Sequence, residues 1–324
     1  MHTTSELADI VKLEIEKLNF NLQPIELYEP IGYTMSLGGK RLRPVLVLMA
    51  CEMFGGDISK ANYPALGIEL FHNFTLIHDD LMDNAPIRRN KTTVFKKWNS
   101  NIAILSGDAM FAKAYELVAK TENDILQRIL TVFTQTAIEV CEGQQYDMNY
   151  ETMDNVSIDD YIKMIRLKTA VLIAASLKVG ALIAGASEKD ANSIYEFGIN
   201  MGLTFQLQDD LLDVYSDVDK FGKTTGGDIV TNKKTYLYLK AFELAKDDDF
   251  DKLKYYFSST DFDNTKKIEE VTNIYNRLCI KQHTKDMMNY YYQKSLDNLS
   301  NIALEDSRKS YLKKIADDLM DREY

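Results

Sequence analysis

The sequence is poor in cysteine, and its second half contains no proline. Its three cysteines, Cys51, Cys141 and Cys279, stand alone in segments with a helical pattern. Isolated cysteines exclude a cysteine metal site, and they are typical of small core residues in a reducing cytoplasm. All five prolines fall before residue 87, so no proline can interrupt a helix in the rest of the chain.

The chain also lacks a positive net charge and a long unbroken apolar run. Its net charge of −11 argues against a nucleic-acid partner. The most apolar span, 169–186, is broken by Ser176 and Lys178, which favours a buried or subunit-interface helix over membrane insertion. The first residues lack the charged start and apolar stretch of a secretory signal, so we expect a cytoplasmic protein.

The pattern of apolar residues predicts an all-α fold. Beta-branched alternation is scarce, whereas Ala, Leu, Ile, Lys and Glu recur at three- and four-residue spacing. We predict helices over about 4–19, 45–54, 64–79, 102–120, 123–150, 158–186 and 191–215, with several amphipathic helices after them. Loops are predicted around Pro24 and Pro30, after Asp83, and over 220–233. No break in composition divides the chain, so one domain spanning 1–324 is expected.

Two acidic clusters end apolar stretches of the chain and have the same spacing. In a helix, the first and last aspartates of such a cluster lie one turn apart on one face. Such a pair repels unless a cation lies between, and ligands that are all oxygen favour Mg2+ shared with phosphate oxygens. We predict that the two clusters face each other and hold Mg2+ around one diphosphate. They comprise Asp79, Asp80 and Asp83, and then Asp209, Asp210 and Asp213.

The same acidic spacing occurs at 247–251 and 317–321 without an apolar stretch and basic glycine-containing neighbours, so we expect these two to be surface. Basic residues instead gather near glycine turns in Gly38-Gly39-Lys40-Arg41-Leu42-Arg43-Pro44, in Arg88-Arg89, and from Lys220 to Lys233. Arginine suits bidentate contact with phosphate, and lysine supplies a compact charge. In an acidic protein these cations predict a diphosphate site. Phe71, Phe74 and Thr75 would form an apolar wall below Asp79.

These motifs, together with Lys168-Thr169 and Phe205-Gln206-Leu207-Gln208, resemble the trans-prenyl diphosphate synthases (polyprenyl synthetases) over nearly the whole chain. The resemblance implies the isoprenoid synthase fold, a helical bundle around a deep central cavity, in a homodimer. It implies three Mg2+ ions per site, ligated by Asp79, Asp83 and Asp209 and supported by Asp80, Asp210 and Asp213. It assigns the allylic diphosphate to Arg88, Lys168, Gln206, Lys223 and Lys233, with Thr169 near the tail. It assigns isopentenyl diphosphate to Lys40, Arg43, His72 and Arg89.

The implied reaction joins isopentenyl diphosphate head to tail with an allylic diphosphate to give a short all-trans chain. In this family, aromatic residues both four and five positions before the first aspartate resemble farnesyl (C15) synthases. An aromatic residue only at position five resembles geranylgeranyl (C20) synthases. Here Phe74 and Thr75 occupy those positions, so we predict C20, with C15 as the alternative.

Two alternative functions share parts of this sequence pattern. A terpene cyclase would lack the second aspartate cluster together with Lys40 and Arg43. A non-catalytic synthase subunit often loses one acidic cluster, and this chain keeps both.

Three smaller expectations concern single positions. Asn90 stands where the family normally has glycine, and asparagine tolerates a left-handed backbone better than most residues. Gly143-Gln144 is expected to be a point of close contact between helices. His78 has no role in the resemblance, and we predict that it is structural.

Overall fold

The computed structural model describes residues 1–216, 226–258 and 263–320. They form two compact units, each of which is described by itself. The first comprises 1–135, 175–195 and 303–311, and the second comprises 136–174, 196–302 and the residues from 312 on. One domain over 1–324 stays a prediction.

Helices make up almost all of the regular secondary structure of the described residues, which confirms the all-α prediction. A 3-10 turn at Ile58–Ala61, a π-helical turn at Arg166–Ala170 and two short strands accompany them. The first ten helices are α1 Thr4–Glu16, α2 Ile25–Ser36, α3 Leu42–Met53, α4 Asn62–Met82, α5 Val94–Lys97, α6 Ser100–Val118, α7 Asn123–Thr152, α8 Ile158–Ile165, α9 Val171–Ile183 and α10 Glu188–Tyr215. The others are α11 Gly227–Val230, α12 Tyr236–Leu244, α13 Asp247–Ser258, α14 Asn264–Arg277, α15 Ile280–Ser300 and α16 Asp306–Met320.

Helix α4 is the central element of the first unit. It packs most extensively against α6 and also contacts α1, α2, α3 and α5. Its buried residues, among them Leu66, Ile68, Leu70 and Phe71, cover more than one face, as expected of a helix surrounded by others. Burial on several sides fixes the position of the aspartates at the end of α4.

In the second unit, α12 packs against α8, α14 and α15, and α14 also contacts α11 and α13. Lys234 closes the end of α7, because its Nζ donates to the backbone oxygens of Tyr150 at 2.7 Å and Glu151 at 3.3 Å. A lysine at a helix C-terminus satisfies carbonyls that have no partner within the helix. The segment that contains Lys233 is thereby tied to α7.

The predicted loop is confirmed around Pro24, since 17–24 connect α1 to α2, but it is wrong around Pro30, because α2 spans Ile25–Ser36 with Pro30 inside it. Pro30, Ile31, Thr34 and Met35 are buried, and this burial offsets the hydrogen bond that proline cannot make. The loop predicted after Asp83 contains a hairpin of β1 (Ile87–Arg88) and β2 (Lys91–Thr92), which pair antiparallel. Asn90 has a φ of 59°, which confirms the left-handed backbone expected there.

The predicted helix over 158–186 is interrupted by the π turn, in which the Val171 N–H donates to the Arg166 oxygen. The turn lies against Gly143, where an added Cβ would collide with the Lys168 nitrogen, so the predicted close contact is confirmed. Of the cysteines, only Cys51 is buried. The core assignment of Cys141 and Cys279 is wrong, because both are exposed. Within the described helices, none is both long and apolar enough to cross a bilayer.

Candidate active site

The first acidic cluster lies at the C-terminal end of α4. The N–H of Asp83 donates to the backbone oxygen of Asp79 at 2.8 Å, so the two residues are one helical turn apart. Asp79 is half-buried and Asp83 is exposed. This geometry confirms that both carboxylates belong to one face of the helix.

Asp80, the middle aspartate of this cluster, pairs with the hairpin that follows α4. It is 5% exposed and accepts a hydrogen bond from Arg88 Nε at 2.6 Å. Burial raises the pKa of the Asp80 carboxyl, and the Arg88 guanidinium opposes that rise. The charge-assisted bond ties the β1–β2 hairpin to α4, so Asp80 acts as a support and leaves Asp79 and Asp83 as the ligand candidates.

Arg43 and His72, both half-buried, contact each other in the first unit. Arg43 Nη1 lies 3.1 Å from His72 Nε2. Burial, followed by the nearby arginines, holds the pKa of His72 well below its ordinary value of 6.5, so the ring is neutral at pH 7. An arginine N–H can only donate, so His72 accepts through Nε2. The Arg43 Nε is buried and has no acceptor among the described residues.

Arg89 joins the hairpin to the glycine loop. Its backbone is left-handed, with a φ of 51°, and its Nη1 donates to the Gly38 oxygen. Lys40, in the same loop, is exposed. The structure therefore brings together, on and around α4, the four residues assigned to isopentenyl diphosphate, namely Lys40, Arg43, His72 and Arg89.

The predicted apolar wall consists of aromatic rings that pack at tilted angles. The Phe74 ring centre is 5.5 Å from that of Phe71 and 5.2 Å from that of Phe111. Phe71 is fully buried, whereas Phe74 is half-buried. His78 packs at 4.8 Å on Phe74, and its Nε2 lies 3.3 Å from the Ile104 oxygen, which supports the structural interpretation of His78. Thr75 Oγ1 donates to the His72 oxygen at 2.8 Å.

The second acidic cluster lies near the end of α10, in the second unit. Asp210 is buried and accepts hydrogen bonds from the Tyr161 hydroxyl and from Gln206 Nε2, the latter at 3.1 Å. Burial, followed by the nearby Asp228 carboxylate, raises the pKa of Asp210. Asp213 Oδ2 accepts from the Asp228 N–H at 2.9 Å, at the start of α11. Asp209 is exposed. As in the first cluster, the middle aspartate is buried and accepts hydrogen bonds from side chains of the protein.

Lys168 lies in the π turn, and its Nζ donates to Asp147 Oδ2 at 2.5 Å. Thr169 Oγ1 donates to Gln206 Oε1 at 3.1 Å. These side chains line a cavity of about 130 Å³ within the second unit. Its polar lining includes Asp147, Tyr161, Lys168, Thr169, Gln206, Asp210 and Lys233. Lys223 lies outside the described residues.

The carboxylates fit a hard cation that is shared with a substrate. The described residues contain no group of three or more His, Cys, Asp or Glu that could hold a metal ion alone. Mg2+ characteristically keeps waters and takes one or two carboxylates together with substrate phosphates. The aspartate pair one turn apart on α4, with only oxygen donors, matches that requirement.

Five residues of the site were missed by sequence reasoning. Glu69 had a signal, because it is an acid within the apolar run of α4, and Asp228 had one, because it lies in the last basic motif. Arg41 was quoted in the glycine motif without a role. Asp147 and Tyr161 had no signal, since only the fold brings them to Lys168 and Asp210.

The chain is similar to known proteins in both sequence and structure. A family described as polyprenyl synthetase matches residues 24–275. The geranylgeranyl diphosphate synthase of Methanosarcina mazei is 40% identical over 235 residues, which is 72% of each chain. A short chain isoprenyl diphosphate synthase of Methanothermobacter thermautotrophicus is 35% identical over 99% of this chain and 97% of its own.

A crystal structure of a geranylgeranyl pyrophosphate synthase has a TM-score of 0.95 and 43% identity, and covers 99% of both chains. The fold is therefore the all-α isoprenoid synthase fold. The family match over most of the chain, with relatives of this identity, leads to one conclusion: the chain belongs to the polyprenyl synthetase family.

Proposed function

We propose that the protein is a short-chain trans-prenyl diphosphate synthase, with geranylgeranyl diphosphate as its main product. The observation that carries this proposal is the Nε of the half-buried Arg43, a buried donor atom that has no acceptor among the described residues. A buried donor without a partner is costly, and an anion would satisfy it. Arg43 contacts α4 through His72, and the same helix ends in the Asp79–Asp83 pair. The names of the related synthases support the reaction and the C20 product.

The basic group around α4 is proposed to bind isopentenyl diphosphate. Arg43 would donate through Nε while its Nη1 stays on the neutral His72. The exposed Lys40 would add a compact charge, and Arg89 would close the site from the hairpin. Arg89 already holds the Gly38 oxygen, so its position is set before any ligand arrives.

The allylic diphosphate is proposed to bind through Mg2+ and a second set of cations. Bound Mg2+ would neutralise the charge that develops on the departing diphosphate. Its proposed ligands are Asp79, Asp83 and Asp209, with three ions per site. Asp80, Asp210 and Asp213 orient the neighbouring elements through their bonds to Arg88, Tyr161 and the Asp228 N–H. The direct diphosphate contacts are assigned to Arg88, Lys168, Gln206, Lys223 and Lys233.

In the proposed reaction the allylic C–O bond breaks, and the cations of this chain stabilise the leaving diphosphate. The isopentenyl double bond then attacks the allylic carbon, a new C–C bond forms, and a proton passes to the released diphosphate. Thr169, held by its bond to Gln206, would lie near the start of the apolar tail. No protein general base is required by this sequence of steps.

Product length is proposed to depend on Phe74. Its half-buried ring is packed between Phe71, Phe111 and His78, so it is a firm obstacle for a chain growing along α4. Thr75 is small and turns its hydroxyl to the helix backbone. One aromatic layer at this depth favours C20 over C15.

The direct test is incubation of the purified protein with Mg2+, isopentenyl diphosphate and each allylic starter, followed by sizing of the products. A C20 prenyl diphosphate is expected, and removal of Mg2+ with EDTA should abolish its formation. Terpene formation without consumption of isopentenyl diphosphate would favour a cyclase, and absence of turnover would favour a non-catalytic subunit. The homodimer stays a prediction that sedimentation velocity can test. That the two acidic clusters share one diphosphate, and that the protein is cytoplasmic, also stay predictions.

A further inference from the structure

Glu69 is a buried carboxylate in the apolar part of α4. Its side chain is 2% exposed. It accepts a hydrogen bond from Arg41 Nη1 at 2.5 Å and another from Asn73 Nδ2 at 2.8 Å. Burying a carboxylate is costly unless it is paired and hydrogen-bonded, and here both conditions are met. The buried ion pair joins the glycine loop, through Arg41, to Glu69 on α4.

Arg41 lies between Lys40 and Arg43, but its side chain turns inward. Its side chain is 9% exposed, and the guanidinium also donates through Nη2 to the Met35 oxygen at 2.5 Å, near the end of α2. One side chain therefore connects α2, the glycine loop and α4.

The backbone of Arg41 is in an unfavourable conformation. Its φ of 47° is left-handed, a conformation that residues other than glycine rarely adopt. Arg41 also precedes α3 as its N-cap, without a side-chain capping bond. Strained backbone persists only where the surroundings hold it, and here the Arg41 side chain is held by its bonds to Glu69 and Met35.

Glu69 also acts on the neighbouring cations. Burial lowers the pKa of Arg43 to about 10, and the Glu69 carboxylate opposes this fall. The same carboxylate opposes the fall in the pKa of Arg89, which burial and Arg41 cause. One buried anion therefore compensates the repulsion among several arginines.

We infer that Arg41 and Glu69 are positioning residues that hold Lys40 and Arg43 in the arrangement that receives the diphosphate of isopentenyl diphosphate. This inference rests on the proposed function. It assigns Arg41 no contact with the substrate, although Arg41 lies within the basic motif. Loss of the pair should therefore weaken the binding of isopentenyl diphosphate and leave the binding of the allylic diphosphate unchanged.

The test compares Glu69→Gln, Arg41→Lys and wild type in steady-state kinetics, varying each substrate while the other is saturating. Glu69→Gln keeps the size and removes the charge, so the KM for isopentenyl diphosphate should rise at least tenfold. The KM for the allylic diphosphate should stay within twofold of wild type, and product length should not change. Arg41→Lys keeps the charge but replaces the planar fork, whose two Nη atoms reach Glu69 and Met35, with a single ammonium, so it should give an intermediate rise.

The matched control is Glu188→Gln, which removes an exposed carboxylate that pairs with Arg128. It should leave both KM values at the wild-type level, because exposed ion pairs contribute little. An equal rise in both KM values, or no rise, in folded Glu69→Gln would overturn the inference. If circular dichroism shows that Glu69→Gln does not fold, Arg41→Lys decides by the same comparison. Wild type without condensation activity would instead refute the proposed function.

Discussion

Replacement of Phe74 by alanine should lengthen the product by one isoprene unit. Phe74 lies five residues before Asp79, which is about 7.5 Å along α4 at roughly 1.5 Å per residue. The next aromatic layer is Phe71, about 4.5 Å further down the same helix. That distance is comparable to one isoprene unit. We therefore expect a shift from C20 to C25.

The lengthening should stop at one unit, because the layer below Phe74 is firmly packed. Phe71 is fully buried and its ring lies 5.5 Å from Phe133 and 5.9 Å from Phe111. The variant should also lose stability. Phe→Ala in a core costs about 3–5 kcal/mol, and the half-buried Phe74 should fall at or below the lower limit.

The assay is extraction and chromatographic sizing of products from the folded variant at saturating substrates. Phe242→Ala is the matched control, because Phe242 is also half-buried among aromatic rings, at 4.6 Å from Tyr238 and 6.0 Å from Phe257. It should lower stability and leave C20 unchanged. The reasoning is refuted if folded Phe74→Ala makes wild-type products, or if both variants lengthen the chain equally.

Three further predictions concern the rest of the site. Because folding lowers the pKa of His72, below pH 6.5 the unfolded chain binds a proton that the folded chain does not bind. The stability that the neutral His72 contributes to the folded state is therefore complete above pH 6.5 and decreases as the pH falls. Urea unfolding should show wild type losing up to about 1.4 kcal/mol per pH unit more than His72→Gln, and parallel curves would contradict this. Gly143→Ala should displace Lys168 and raise the KM for the allylic diphosphate alone; unchanged kinetics would show that the contact adapts. Tyr161→Phe should raise the Mg2+ concentration needed for half-maximal activity and lower the free energy of unfolding by about 1–3 kcal/mol, because Asp210 loses a buried donor. An unchanged Mg2+ requirement would show that the Tyr161 hydroxyl does not help to position the second acidic cluster.

Most helices and the order of the motifs could be predicted from local sequence. Apolar residues at three- and four-residue spacing identified α1, α6, α7 and α10 to within a few residues at most boundaries. The prediction failed at α2, where Pro30 suggested a loop and the burial of its neighbours stabilises a helix. Tertiary packing overrode local propensity there, and a sequence window cannot contain that information.

For the candidate site, the sequence alone determined which residue types were present and which of them share a helix face, because the helical period fixes the geometry between Asp79 and Asp83. Tertiary structure decided which charged side chains pair with other side chains of the protein. Glu69 pairs with Arg41 across 28 positions, and Lys168 pairs with Asp147 across 21. Such pairs depend on how helices pack rather than on spacing along the chain. For that reason the folded structure was needed to separate Arg43, which retains a buried donor without an acceptor among the described residues, from Arg41, which does not.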